Sequence, residues 1–239
     1  MNFRIECSIW YVHTKIDNQY YYFFISKINM NGGNYYETHI TVDHRCTIGL
    51  MDFVRQEKNI KFILVYNPEG ATNIQPMISR YQKYTNEKKC IKEAIILANK
   101  MIDYGLIVLR TKVEMMIPDR LVNNILNSEI IYQKYIEYHL KVITPVPLTI
   151  VQNKCKELVK SFRYQEEDHN ISLAASVNMA GSKKSVLLTI RIFNLYISEC
   201  EIIKDKVLGL FTDMDIDGKI FQRECCIYDD NVHVDDGWL

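Results

Sequence analysis

The sequence has no excess of charge of either sign. Lys plus Arg and Asp plus Glu each number 29 among 239 residues, so the formal net charge is zero. This balance excludes proteins that attract nucleic acid or an acidic membrane through a field spread over the whole surface. Any anionic partner would have to be bound by a local group of cations.

Glycine, proline and long apolar runs are also scarce. The chain has nine Gly and five Pro, no run of 18 apolar residues, and no basic start followed by an apolar stretch as in a secretion signal. No glycine-rich phosphate loop or dinucleotide fingerprint occurs. We therefore expect a cytoplasmic protein without membrane contact, metal or cofactor. Frequent Ile, Lys, Asn and Tyr indicate an AT-rich genome; for a large DNA virus the location would be the host cytoplasm or the virion.

The cysteines do not form a disulfide or metal pattern. They number seven, an odd count, and no Cys-x-x-Cys pair occurs. Cys225 and Cys226 are adjacent, so on a strand they point to opposite faces and are poorly placed to bind one metal. The pattern predicts reduced thiols within the core.

The first half of the chain predicts a hairpin and an α+β lobe. In residues 1–34, two stretches rich in aromatic and β-branched residues flank a turn-like segment, which is typical of a β-hairpin. Residues 35–128 predict a lobe of order β-α-β-α-β, in which the polar segment 67–77 is a loop. The predicted strands span 35–43, 61–66 and 106–114, and the predicted helices span 47–57 and 87–104.

The second half, residues 129–239, predicts a second lobe that repeats the first. Tyr135–Val142 (YIEYHLKV) resembles Tyr35–Val42 (YYETHITV), with Glu-x-His at the same place; a chance match is the alternative. Further helices are predicted over 149–162 and 198–211, and strands over 171–179, 185–193 and 219–229. The sequence therefore predicts an α+β protein: two ferredoxin-like, βαβ-type lobes in pseudo-twofold tandem, behind an N-terminal hairpin.

The repeated strand carries the residues best suited to chemistry. Side chains two apart on a strand share a face, so Glu37, His39 and Thr41 point one way, and Glu137, His139 and Lys141 form the second set. We expect the two sets to meet at a cleft between the lobes. Imidazoles exchange protons near neutral pH, and a carboxylate beside each would orient it. The alternatives are a solvated sheet surface, or ligand binding without catalysis.

Cations on neighbouring predicted strands could hold a phosphate. Arg110 and Lys112 share one face of a strand, and Arg191 lies on another. Arginine binds phosphate through two parallel hydrogen bonds. The alternative is that all three are solvated on a sheet surface.

His39-Ile40-Thr41 resembles the His-x-Thr/Ser motif of the two-histidine phosphoesterases; at the second copy, His139-Leu140-Lys141, lysine replaces the hydroxyl residue. The resemblance implies metal-independent cleavage of a phosphodiester in a nucleotide or at an RNA end. His39 would be the general base and His139 the general acid, oriented by Glu37 and Glu137. The phosphate would be held by Thr41, Lys141, Arg110, Lys112 and Arg191.

A larger part of the chain resembles an uncharacterised family of phage, bacterial and large-DNA-virus proteins. The likeness includes the duplicated YxExH strands, residues 105–114, and a closing tail of Tyr228, Asp229, Asn231, Asp235, Gly237 and Trp238. This resemblance implies no known activity. The alternative to an enzyme is therefore a protein-interaction or virion-associated module that pairs with a partner through an exposed sheet edge, such as that of the hairpin.

An acidic segment also matches a calcium-loop pattern. Residues 213–224 read Asp-x-Asp-x-Asp-Gly-x5-Glu. The residues that follow favour a strand rather than the second helix of an EF-hand, and no second loop occurs. We interpret the segment as an acidic helix-to-strand turn, with calcium binding left open.

Overall fold

The architecture was obtained from a computed structural model. It describes residues 9–16, 19–26, 34–68, 70–118, 135–142, 147–165, 171–179, 186–193, 197–213 and 218–237. Within these ranges the protein is mixed α and β, with four α-helices and an eight-stranded antiparallel sheet that closes into a barrel.

The barrel is formed by strands β3 to β10, and two further strands form a separate hairpin. β1 (Ile9–Ile16) and β2 (Gln19–Ser26) pair with each other, so the predicted N-terminal hairpin is present. Around the barrel the order is β10-β6-β3-β5-β4-β8-β9-β7. The strands are β3 (Asn34–Val42), β4 (Lys61–Tyr66), β5 (Ile74–Tyr84), β6 (Val108–Met116), β7 (Tyr135–Val142), β8 (Ile171–Asn178), β9 (Val186–Phe193) and β10 (Gly218–Asp229).

The helices follow the strands in the same order in both halves. α1 (Thr47–Gln56) and α2 (Glu87–Asp103) belong to the first half, and α3 (Leu148–Gln165) and α4 (Ile197–Asp213) to the second. The Asn86 side chain accepts a hydrogen bond from Lys88 N at the start of α2. Gly105, at φ 93°, follows the end of α2, as the sequence predicts.

The two halves share their sheet topology as well as their element order. Each half runs β-α-β-β-α-β, and across its sheet the order is fourth, first, third, second strand: β6-β3-β5-β4 and β10-β7-β9-β8. The outer strands of one half pair with those of the other, β6 with β10 and β4 with β8. The predicted cleft between two lobes is therefore replaced by a barrel lumen, because joining the sheet edges satisfies backbone groups that separate lobes would leave unpaired.

Strand β5 is the element that the sequence missed. The segment 67–77 was predicted as a loop, whereas the strand begins at Ile74. Pro76 within it lacks an N–H, which is unusual inside a strand, and polar Gln75 and Ser79 lie on the face towards the lumen. Ile78, on the other face, is fully buried.

The hydrophobic core lies between the outer face of the barrel and the helices. Ile40 and Val42 of β3 pack with Leu50 and Phe53 of α1 in one cluster. A larger cluster joins outward residues of β6 to β10 with residues of α2, α3 and α4. Because the outer face forms the core, the inner face is free to carry polar residues.

Three other predictions can be compared with the described residues. Six cysteines are free thiols; five of them are buried, as predicted, whereas Cys46 is half-buried, and Cys7 lies outside the described ranges. α4 ends at Asp213 and β10 begins at Gly218, in agreement with a helix-to-strand turn, although residues 214–217 are not described. None of the helices described is both long and apolar enough to cross a bilayer.

Candidate active site

The barrel lumen is a cavity of about 380 Å³ lined mainly by polar side chains. Its size falls within the usual range of small-ligand pockets, roughly 300 to 1,000 Å³. Both predicted sets, Glu37, His39 and Thr41 on β3 and Glu137, His139 and Lys141 on β7, line this cavity. The structure therefore brings together the residues of the two repeated strands. Arg110, Lys112 and Arg191 line it as well.

These side chains are not solvated sheet surface. Glu37 and Glu137 are 3% and 1% exposed, and Arg110 and Arg191 are 4% and 3% exposed. Lys141 differs, since it lines the cavity but is an exposed residue. Because burying charges costs several kcal/mol for each ion unless they are paired, a lumen of this kind is a poor way to gain stability and a frequent feature of functional sites.

His39 is held between two carboxylates. Its Nε2 is 3.4 Å from Glu37 Oε1 and 3.5 Å from Glu114 Oε2, while its Nδ1 has no hydrogen-bond partner among the described residues. Burial lowers the pKa of His39 to about 4; attraction to Glu37 opposes this, and repulsion by Lys112 adds to it. The imidazole is therefore neutral at neutral pH.

His139 occupies the equivalent position on β7 but makes shorter contacts. Its Nε2 is 3.0 Å from Glu224 Oε2 and 3.4 Å from Glu137 Oε2, and its Nδ1 is 3.1 Å from Thr189 Oγ1. Burial alone would lower its pKa, but hydrogen bonds to Glu137 and Glu224 outweigh burial and raise the pKa to about 10. This imidazole is therefore protonated at neutral pH.

Lys112 links the two halves of the site. Its Nζ lies 2.9 Å from Glu114 Oε2 on its own strand and 3.1 Å from Glu137 Oε2 on β7. Burial raises the pKa of Glu137, but the charges of Lys112 and Arg191 reverse this and hold it well below its usual value. Glu137 is therefore ionised and paired with cations on two sides.

Glu114 and Glu224 are buried carboxyls whose pKa values are raised. Burial, and repulsion from Glu137 and Glu224, raise the pKa of Glu114 well above its usual value. Neither Glu114 oxygen accepts a hydrogen bond of good geometry within the described part of the chain, although Lys112 is close. Burial also raises the pKa of Glu224, against the lowering effect of His139. Both carboxyls therefore hold a proton more readily than Glu37 and Glu137 do.

The amide of Gln222 joins the two sets of carboxylates. Its Nε2 donates to Glu37 Oε2 and to Glu224 Oε1, both at 2.6 Å. Ser79 Oγ donates to the other oxygen of Glu37 at 2.5 Å. Burial raises the pKa of Glu37, but attraction to His39 and these hydrogen bonds lower it overall.

The arginines lie in a second part of the lumen. Arg110 binds Asp229 through two hydrogen bonds, from Nε at 2.9 Å and Nη2 at 2.6 Å. Arg191 Nε donates to Glu137 Oε1 at 2.7 Å, and its guanidinium lies over the Tyr135 ring, 4.3 Å from the centroid. Both arginines also contact Asp235. Ion pairs with this geometry fix the guanidinium planes, and both arginines line the cavity.

Another part of the wall is mostly uncharged. Strands β4 and β8, together with parts of β5 and β9, contribute apolar and small polar side chains. These are Ile63, Val65, Met77, Ser176, Asn178 and Leu187. The lumen thus combines an ionic wall with a less polar one.

The sequence missed several residues of the site. Glu114, Gln222, Asp229 and Asp235 had no assigned role, and Glu224 was noted only as the end of a calcium-loop pattern. One signal was present: Arg110, Lys112 and Glu114 alternate along β6, so three charged side chains share one face of a predicted strand. The contacts across the barrel had no such signal because they depend on strand closure.

Among the residues that the structure describes, no three His, Cys, Asp or Glu side chains form a group that could hold a metal ion. A comparison with protein-family models and with curated proteins found no match to this chain. The two resemblances drawn from the sequence therefore stay predictions.

Proposed function

We propose that the protein is a phosphohydrolase whose substrate places a phosphate group inside the barrel lumen. The observation that carries the proposal is the meeting of two imidazoles of opposite protonation state with three buried cations in one cavity. Cations of this type bind phosphate, and the imidazoles supply a base and an acid.

The protonation states support a division of roles between the histidines. His39 is neutral and able to accept a proton from the attacking hydroxyl or water, and His139 is charged and able to donate one to the leaving oxygen. Two titratable groups whose surroundings push their pKa values apart are the usual sign of an acid and base pair. Glu37 contacts the first imidazole and Glu137 the second, so each is placed to orient one ring.

The closed shape supports a limited substrate class. A lumen of about 380 Å³, walled by eight strands, has room for a nucleotide or the phosphorylated end of a chain, but not for the middle of a long polymer. We therefore propose a nucleotide or an RNA end as substrate. The scissile bond would be a phosphoester or phosphoanhydride held by Arg110, Lys112 and Arg191, with Thr41 and Lys141 nearby.

The test is a hydrolysis assay with matched histidine variants. The substrates would be 2′,3′-cyclic nucleotides, nucleoside mono- and triphosphates, inorganic tripolyphosphate and short 5′-phosphorylated RNAs, each in EDTA and in Mg²⁺. We expect His39→Gln and His139→Gln to lower kcat by about 10²- to 10⁴-fold. His44→Gln, at an exposed histidine outside the lumen, is the control and should match the wild type.

Two other outcomes of this assay would count against a hydrolase. Binding without turnover would replace the hydrolase with a phosphate- or nucleotide-binding protein. Absence of both binding and turnover would contradict the proposal and favour the interaction module predicted as the alternative.

We also propose that the barrel descends from duplication of a ferredoxin-like unit. The shared element order and the shared strand order of the two halves support this origin. A crystal structure in which residues 34–116 superpose on residues 135–229 strand for strand would agree with it. Different strand orders in the two halves would contradict it.

A further inference from the structure

The C-terminal turn, residues 231–236, lies against one end of the barrel. A short 3-10 helix, Val232–Asp235, follows β10. Asn231 Nδ2 donates to Leu109 O at 2.9 Å, and Ala71 N donates to Asp236 O at 2.5 Å. The turn is thus attached to the start of β6 and to the connection between β4 and β5.

This turn places one carboxylate on the arginine pair of the lumen. Asp235 Oδ2 accepts from Arg110 Nη1 at 2.5 Å and from Arg191 Nη2 at 2.7 Å. One arginine comes from each half of the chain. Asp235 is 6% exposed and lines the cavity. A single oxygen atom that receives two guanidinium hydrogen bonds is in the position that a phosphate oxygen would take.

Asp235 is the carboxylate of this group that no barrel strand carries; besides the arginines, Gln75 Nε2 donates to its Oδ1 and to Val234 O, both at 3.4 Å. Arg110 also binds Asp229, the last residue of β10, and Arg191 also binds Glu137 of β7. Those two carboxylates belong to barrel strands, whereas Asp235 belongs to the turn. If Asp235 withdrew, each arginine would keep one ionic partner and gain room for an incoming anion.

We propose that Asp235 acts as a built-in competitor for the anion site, and that a phosphate group of the substrate displaces it together with the turn. This inference rests on the proposed function and says how access of the substrate to the anion site is regulated. A phosphate dianion carries more charge than a carboxylate and offers three acceptor oxygens, so it can replace Asp235 on both arginines at once. Opening of the turn would then accompany binding.

The first experiment compares Asp235→Asn with the wild type by calorimetric titration of inorganic tripolyphosphate and AMP. Asn keeps the shape of the side chain but removes the competing charge, so we expect Kd for at least one of these probes to fall by about tenfold or more. Asp236→Asn is the matched control, because its exposed side chain contacts His233 outside the lumen; its Kd should equal that of the wild type.

A second experiment uses the wild-type protein alone, so it does not depend on how the variant folds. Hydrogen exchange of the amides of residues 231–236 should accelerate when the probe is added, because the turn leaves the barrel. Unchanged or slower exchange with bound probe would overturn the inference.

The two proposals can fail separately. Equal affinity of the wild type and Asp235→Asn would overturn the role of Asp235 and leave the proposed function standing. Absence of binding by both proteins would overturn the proposed function and this inference with it. Binding by Asp235→Asn alone would support both.

Discussion

His39 and His139 occupy equivalent positions on β3 and β7 and line the same lumen, yet they carry different charges at neutral pH. The cause is the distance between each imidazole ring and its neighbouring carboxylates. Glu224 lies 3.0 Å from the His139 ring, whereas the carboxylates around His39 lie at 3.4 and 3.5 Å, and Lys112 repels a proton there. A repeated motif has thus become an asymmetric pair.

The asymmetry can be measured directly by following the histidine ring protons with NMR. Because the pKa of His39 is lowered to about 4 and that of His139 raised to about 10, neither ring should titrate from about pH 5 to about pH 9. A midpoint between pH 6 and 7 for either buried ring would contradict the assignment.

Stability should depend on pH through His139. Its pKa rises from 6.5 to about 10 on folding, so the folded state binds the proton more tightly. The resulting stabilisation is complete below about pH 6.5 and declines as the pH rises towards 10, by at most about 1.4 kcal/mol per pH unit. Urea unfolding should therefore show the wild type losing its advantage over His139→Gln as the pH is raised from 7 to 9.

His39→Gln provides the comparison for that experiment. The folded-state pKa of His39 in the wild type is lowered. The stability that the neutral His39 ring contributes is therefore present above about pH 6.5 and is lost as the pH falls towards 4. The difference between the wild type and this variant should change on the acid side and stay constant between pH 7 and 9. The same alkaline decline in both variants would show that His139 is not its source.

Two buried glutamates should respond differently to loss of charge. Glu137 is paired with Lys112 and Arg191, so Glu137→Gln leaves two buried cations short of a partner and should lower the free energy of unfolding by about 3 to 5 kcal/mol. Glu114 has a strongly raised pKa, and Lys112, the cation 2.9 Å from it, keeps Glu137 as a second partner, so Glu114→Gln should cost less stability. Urea denaturation at neutral pH measures both; equal losses would show that Glu114 is ionised and paired.

Two strand pairs join the halves of the barrel, β6 with β10 and β4 with β8, and these two joints should differ in local stability. β6 and β10 pair over five residue positions, whereas β4 and β8 pair over two, Val65 with Asn178 and Tyr66 with Val177. A joint with fewer hydrogen bonds opens at lower free energy. Amides of residues 65, 66, 177 and 178 should therefore exchange faster than those of residues 113–116 and 224–226. Slower exchange at the β4 and β8 joint would contradict this.

Local patterns were sufficient for most elements of the fold. Apolar spacing located all four described helices, and β4 and β7 were predicted with the bounds that the structure has. β5 was missed because its polar face is turned towards an ionic lumen rather than towards solvent, and because Pro76 interrupts it. The hairpin in residues 1–34 was predicted from two stretches rich in aromatic and β-branched residues around a turn-like segment, which are local features.

By itself, the sequence determined which side chains share a face: the alternation of β3 and β7 placed Glu37 with His39, and Glu137 with His139, since neighbouring side chains on a strand must point to opposite sides. Only the tertiary structure decided that these faces enclose a lumen. It also decided that residues far apart in sequence complete the site, such as Glu224 beside His139 and Asp235 between two arginines. The physical reason is that barrel closure and the C-terminal turn bring these groups out of water, and burial together with the partners they meet there sets their charge.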